Sequence, residues 1–135
     1  MSESAKSISG KWYSTFKSPT GSIHYFTLEL DSENWRESTI GLEAKRIADP
    51  DKWARPQIAI VSILPCDSVP AVTLLAQETE NPEGVFSMVI KFDQAGEGVG
   101  RVLWLSLTDK QVRAELLFFS RTPSSDHPAA SNPQS

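Results

Sequence analysis

Apolar and polar residues alternate along most of this chain, and turn-forming residues break the alternation at near-regular intervals. Within 99–108, Leu103, Leu105 and Leu107 fall on one side while Val102, Trp104 and Ser106 fall on the other. That is the period of two expected of a β-strand. The stretches SIHYFTLEL, QIAIVSIL, AVTLLAQ, VFSMVIKF, RVLWLSL and RAELLFF are rich in β-branched and aromatic residues, which suit a pleated surface. Between the strand-like stretches stand SPTG (18–21), DSEN (31–34), ADPDKWARP (48–56), PCDSVP (65–70), ENPEG (80–84), DQAGEG (93–98) and TDK (108–110). Each supplies residues that preset or tolerate turn dihedrals. Eight segments remain, near 8–16, 21–30, 37–47, 57–64, 70–79, 84–93, 99–108 and 111–121. The third, ESTIGLEAKRIA, has Glu, Ala and Lys that suit a helix, but Thr39-Ile40-Gly41 opposes one. It reads as a strand.

Short, regular spacing without a long crossover predicts an all-β domain over 7–122, an eight-stranded antiparallel up-and-down β-barrel. Closure of the first strand on the last removes two raw edges, and eight strands leave room for one small ligand. A β-sandwich of similar strand count is the competing architecture. From 122 onward, TPSSDHPAASNPQS has three prolines and no large apolar residue, so 123–135 is expected to be a disordered tail.

Composition narrows the function. The formal net charge is −4, with no basic run, so neither nucleic acid nor an anionic membrane is an expected partner. No apolar stretch is long enough for a membrane span. The opening MSESAKS has no signal-peptide core, which points to the cytoplasm. Cys66 is the single cysteine and His24 and His127 are the only histidines, so neither a disulfide nor a metal site is expected. A nucleophile elbow and a glycine-rich phosphate loop are both absent from the sequence, and no cofactor is expected.

The segment GKWYST places Gly-x-Trp on the first strand, a feature shared by calycin barrels, the lipocalins and avidins among them. Followed by GSIHYF, it resembles the start of the avidins. VFSMVIKFDQAGEGVGRVLW (85–104) is similar to avidin strands six and seven, and VRAELLFFSRT resembles the last strand. The resemblance implies a ligand site at Ser14, Ser22, Glu43, Gln77, Phe86, Trp104 and Leu117. Of these, Ser14 and Ser22 stand at the polar-head positions, Phe86 and Trp104 at two aromatic walls, and Gln77 replaces a third. Glu43 stands for the family's Tyr and Leu117 for its Asn or Asp, so tight biotin binding is not expected. The turn TDK carries no Trp to reach a neighbouring subunit.

With Trp104 facing inward, Leu103, Leu105 and Leu107 face outward, as do Val112, Ala114, Leu116 and Phe118, while Arg113, Glu115, Leu117 and Phe119 face in. Two adjacent strands then expose apolar residues, the mark of an interface. A homodimer or homotetramer through strands near 101–107 and 112–118 is expected, and the avidin resemblance implies the same. The reverse assignment would make those leucines the core. His24 shares a face with Ser22, Phe26, Leu28 and Leu30, and with Glu115 completes the candidate ligand set. The leading expectation is a binding protein for a small hydrophobic or amphipathic molecule. A cyclase or isomerase using Glu43, Glu115 or His24 as acid or base, and an oligomeric interaction scaffold, are the alternatives.

Overall fold

The computed structural model describes residues 7–19, 21–66, 68–93, 96–106 and 111–130. Nine strands follow in chain order: β1 (Gly10–Lys17), β2 (Ser22–Leu30), β3 (Thr39–Arg46), β4 (Asp49–Ala54), β5 (Ile58–Pro65), β6 (Ala71–Glu78), β7 (Val85–Phe92), β8 (Glu97–Ser106) and β9 (Gln111–Ser120). They form one antiparallel sheet in the order β4-β3-β2-β1-β9-β8-β7-β6-β5, curled into a partial barrel with almost no helix. The all-β, barrel-like expectation holds. The strand count does not, because the described residues form nine strands rather than eight.

The extra strand is β4, which lies inside the stretch predicted as a turn. It pairs with β3 through Ala44 opposite Ala54 and Lys45 opposite Trp53, with a register shift between Lys45 and Arg46. Asp49, Pro50, Asp51 and Lys52 look like a loop by composition, yet Pro and charge are also what a sheet edge carries to discourage further pairing. Trp53 anchors the hairpin, with the Lys45 ammonium 4.7 Å and the Arg55 guanidinium 5.0 Å from its ring. Among the described residues no ladder joins β5 to β3 or β4, although β3 and β5 come within 8 Å. The barrel therefore has a seam there.

Alternation sets the two faces. Trp12, Ser14, Phe26, Leu28, Leu30, Ile40, Val72, Leu74, Ala76, Phe86, Met88, Ile90, Val102, Leu117 and Phe119 are all buried on the inner face. Each large apolar side chain removed from water contributes about 1.5–3 kcal/mol. Leu103, Val112, Leu116 and Phe118 are exposed on the outer face, Val112 and Phe118 by more than 60%. Leu107 and turn 108–110 lie outside the described residues, as does the Leu105 side chain.

The Gly-x-Trp segment closes one end. The Trp12 indole is 1% exposed, donates from Nε1 to the Ile8 carbonyl at 2.9 Å and packs 4.3 Å from the Phe92 ring. The Arg121 guanidinium lies 3.8 Å over the indole, while Nη1 and Nη2 donate to the carbonyls of Lys11 and Ser7 at 3.2 and 3.0 Å. Gly10 has φ +109°, and a Cβ there would sit 2.9 Å from Arg121 Nη1. The glycine is needed both for its dihedral and for the guanidinium that covers the indole.

The segment after β9 corrects a second expectation. Residues predicted to be disordered from 123 onward pack, as far as 130, as a strap across the outer side of β1 and β2. His127 is 1% exposed, with its ring edge-on to Tyr13 and Tyr25. Its Nδ1 accepts the Ala129 N–H at 3.1 Å, so Nε2 carries the proton and donates to the Phe26 carbonyl at 3.0 Å. The Tyr25 hydroxyl donates to Asp126 at 3.3 Å. Burial and that carboxylate push the phenol's pKa up and keep it a donor. A single histidine and a few hydroxyls do the work that composition assigns to large apolar residues. Residues 131–135 lie outside the described residues.

His127→Ala removes both ring hydrogen bonds and the packing against two tyrosines. Urea denaturation should show a loss of about 1–3 kcal/mol, with faster proteolysis between 121 and 130. Unchanged stability and proteolysis would mean that the strap is not held by this residue.

Candidate functional site

The end of the barrel opposite Trp12 carries an aromatic wall. β1 runs from Trp12 toward Phe16 on the inner row, and β2 runs antiparallel, placing His24 opposite Phe16 and Phe26 opposite Ser14. Across the barrel, β7 and β8 place Phe86 opposite Trp104. The rings meet in a chain: Phe16 to His24 at 5.9 Å, His24 to Trp104 at 5.8 Å, Trp104 to Phe86 at 5.0 Å and Trp104 to Phe26 at 6.0 Å. Phe26 and Phe86 are buried, whereas Phe16, His24 and Trp104 are half-buried. The wall thus runs from the core to solvent.

Two polar atoms interrupt this apolar surface. Ser14 Oγ and His24 Nδ1 are both buried, and neither has a hydrogen-bond partner among the described residues. Such atoms normally find one, because leaving a buried donor or acceptor unmet costs about 1–3 kcal/mol. Glu115 shares the inner row of β9 with Leu117 and Phe119, opposite Val102. Burial lowers the pKa of His24 below its ordinary value, and the charge of Glu115 partly offsets the shift. The imidazole is therefore neutral at pH 7, with Nδ1 available to a ligand.

Of the residues singled out from sequence, Ser14, His24, Phe86, Trp104, Glu115 and Leu117 come together on the inner face, with Ser22 at the mouth end of the His24 row. Glu43 and Gln77 do not. Ile40 and Leu42 fix the inner parity of β3, so Glu43 faces outward, where Arg55 Nε donates to its Oε1 at 2.6 Å. Leu74 and Ala76 fix the parity of β6, and Gln77 Nε2 donates to the Pro82 carbonyl at 2.8 Å. Both positions came from the resemblance, against the alternation of their own strands. Phe16 and Phe26 are wall residues outside that candidate set, although Phe16 shares alternation with Ser14, and Phe26 with His24. Among the described residues, no group of three His, Cys, Asp or Glu side chains forms a candidate metal site, and no helix is long and apolar enough to cross a membrane.

No protein-family model, curated protein or solved structure matches this chain.

The His24 environment has a definite pH signature. Its ring should titrate below about 6.5 when followed by NMR, and Glu115→Gln should lower the midpoint further by removing the opposing charge. Because the folded pKa lies below the unfolded one, the stability linked to His24 is fully present above about 6.5 and is lost as pH falls through the folded value. A midpoint at or above the ordinary value would contradict the buried, neutral ring.

Proposed function

We propose that this protein binds a small amphipathic molecule at the open end of the barrel, its body against Trp104, Phe86 and Phe16 and its polar group between Ser14 and His24. The observation that carries the reading is the pair of unpartnered buried atoms, Ser14 Oγ and His24 Nδ1, set in an aromatic surface. An apolar wall with a few convergent polar groups is the usual composition of a ligand site. A ligand carrying both a donor and an acceptor would meet both atoms.

An avidin-type barrel is consistent with the meander that returns β9 to β1, the Trp12 plug and the Phe86–Trp104 wall. Tight biotin capture is not part of the proposal: Leu117 is apolar where the family has Asn or Asp, and Glu43 faces away from the lumen. The enzyme alternative narrows to His24 and Glu115, the two acid–base candidates on the inner face.

The test exploits opposite effects on binding and stability. Ser14→Ala with His24→Phe replaces both unmet polar atoms by apolar groups, which is neutral or stabilising when no partner is lost. The double variant should unfold at equal or higher urea concentration than the parent. Native mass spectrometry of protein from its own source should find a small molecule on the parent and none on the variant. A less stable variant, or a parent carrying no compound, would count against the site.

We further propose that two or four copies associate through the outer faces of β8 and β9. Leu103, Val112 and Leu116 are each more than 40% exposed there, toward the end of the two strands where Ser106 pairs with Gln111, an apolar surface that a lone soluble chain rarely maintains. Light scattering should give a multiple of the 14.9 kDa chain mass, and Leu103→Lys with Leu116→Glu should reduce it to the single-chain value. A monomeric parent would remove this part of the proposal.

A further inference from the structure

β1 and β9 are joined by a single register pair, Tyr13 opposite Ser120. Beyond it the strands diverge, leaving a slot of about 300 Å³ in the wall, near the lower end of ligand-site volumes. Tyr13, Ser14 and Thr15 line it from β1, Ser120 from β9, and Thr122 and Ser124 from the segment that follows. Glu97, Val99 and Phe118 complete it. Ser14 is shared with the aromatic mouth, which lies on the inner face toward Phe16 and Trp104; the other lining residues belong to the slot alone.

The direction of the hydroxyl protons defines what the slot can recognise. Ser124 Oγ donates to Asp126 Oδ1 at 2.8 Å. Its proton is thereby committed, so the 2.7 Å contact with Thr15 Oγ1 must be a donation from Thr15. The Ser124 hydrogen bond lowers the pKa of Asp126, which fixes the carboxylate as acceptor. Ser120 Oγ likewise donates to the Thr122 carbonyl. Thr15, Ser120 and Ser124 therefore retain only lone pairs for an occupant. Glu97 adds an exposed negative charge beside the apolar Val99 and Phe118, while the charge of Lys17 acts on the Asp126 carboxylate.

We propose that this slot is a binding site for a small organic amine, its ammonium group donating to the oxygens of Thr15, Ser120 and Ser124 and its hydrocarbon body lying against Val99 and Phe118. An ammonium offers three donors and no acceptor, the complement of these three oxygens, whose protons already point elsewhere. A carboxylate of the same size meets lone pairs and the charge of Glu97.

Titration of the full chain with 2-phenylethylamine, followed by amide NMR, should produce saturable shifts at Thr15, Gly98 and Ser120. Phenylacetate, with the same ring and a carboxylate, should leave those amides in place. Glu97→Gln, at an exposed position, should weaken the amine about two- to fivefold, and Trp104→Phe on the inner face should leave its affinity unchanged. Equal shifts from phenylacetate or 2-phenylethanol, saturable shifts confined to the inner wall, or no saturable shift at all would overturn the proposal.

Discussion

The contact between the Arg121 guanidinium and the Trp12 indole closes this molecule. A curled sheet needs its returning strand fixed to its first, and here the ladder between them amounts to the single pair Tyr13–Ser120. Arg121 supplements it by covering the indole and donating to carbonyls of Ser7 and Lys11. A planar cation suits this position, because it stacks on an aromatic face and donates in its own plane at the same time. Fixing one end so firmly leaves the wall above it free to part. The outer slot and the gap in pairing are one feature described twice.

The inner face shows a complementary economy. Its lower part, around Trp12, Leu28, Ile90 and Phe119, is fully apolar and buried, the condition for stable packing. Its upper part retains Ser14 and His24, whose Oγ and Nδ1 have no partner among the described residues. A core selected for stability alone would replace them. Their presence next to half-buried rings is the physical basis of the binding proposal at this end, while the other end serves closure.

Much of this was legible in the residues. Period-two alternation and turn chemistry placed eight of the strands, and parity put Glu115 and Leu117 inside and Leu103 and Phe118 outside once Trp104 was taken as inward, a choice that alternation itself leaves open. β4 was hidden because an edge strand guarded by Pro50, Asp51 and Lys52 has the composition of a loop. The strap was hidden because its hold depends on one buried imidazole and hydroxyl bonds, which hydropathy does not register. Glu43 and Gln77 were placed by resemblance where the neighbouring Leu42 and Ala76 already pointed to the opposite row. The unpartnered state of Ser14 and His24 has no sequence signal, since it depends on what other strands fail to bring near.

The His127 strap and the Arg121 clamp join residues more than 100 positions apart in the chain. During synthesis, β1 and β2 leave the ribosome long before the residues that cover their outer side. Contacts at such separation form late and slowly, so the nascent chain spends that interval with Tyr13, Tyr25 and the open edge of β1 uncovered. The assembly line, rather than the finished fold, is where this protein is most vulnerable to pairing with the wrong strand.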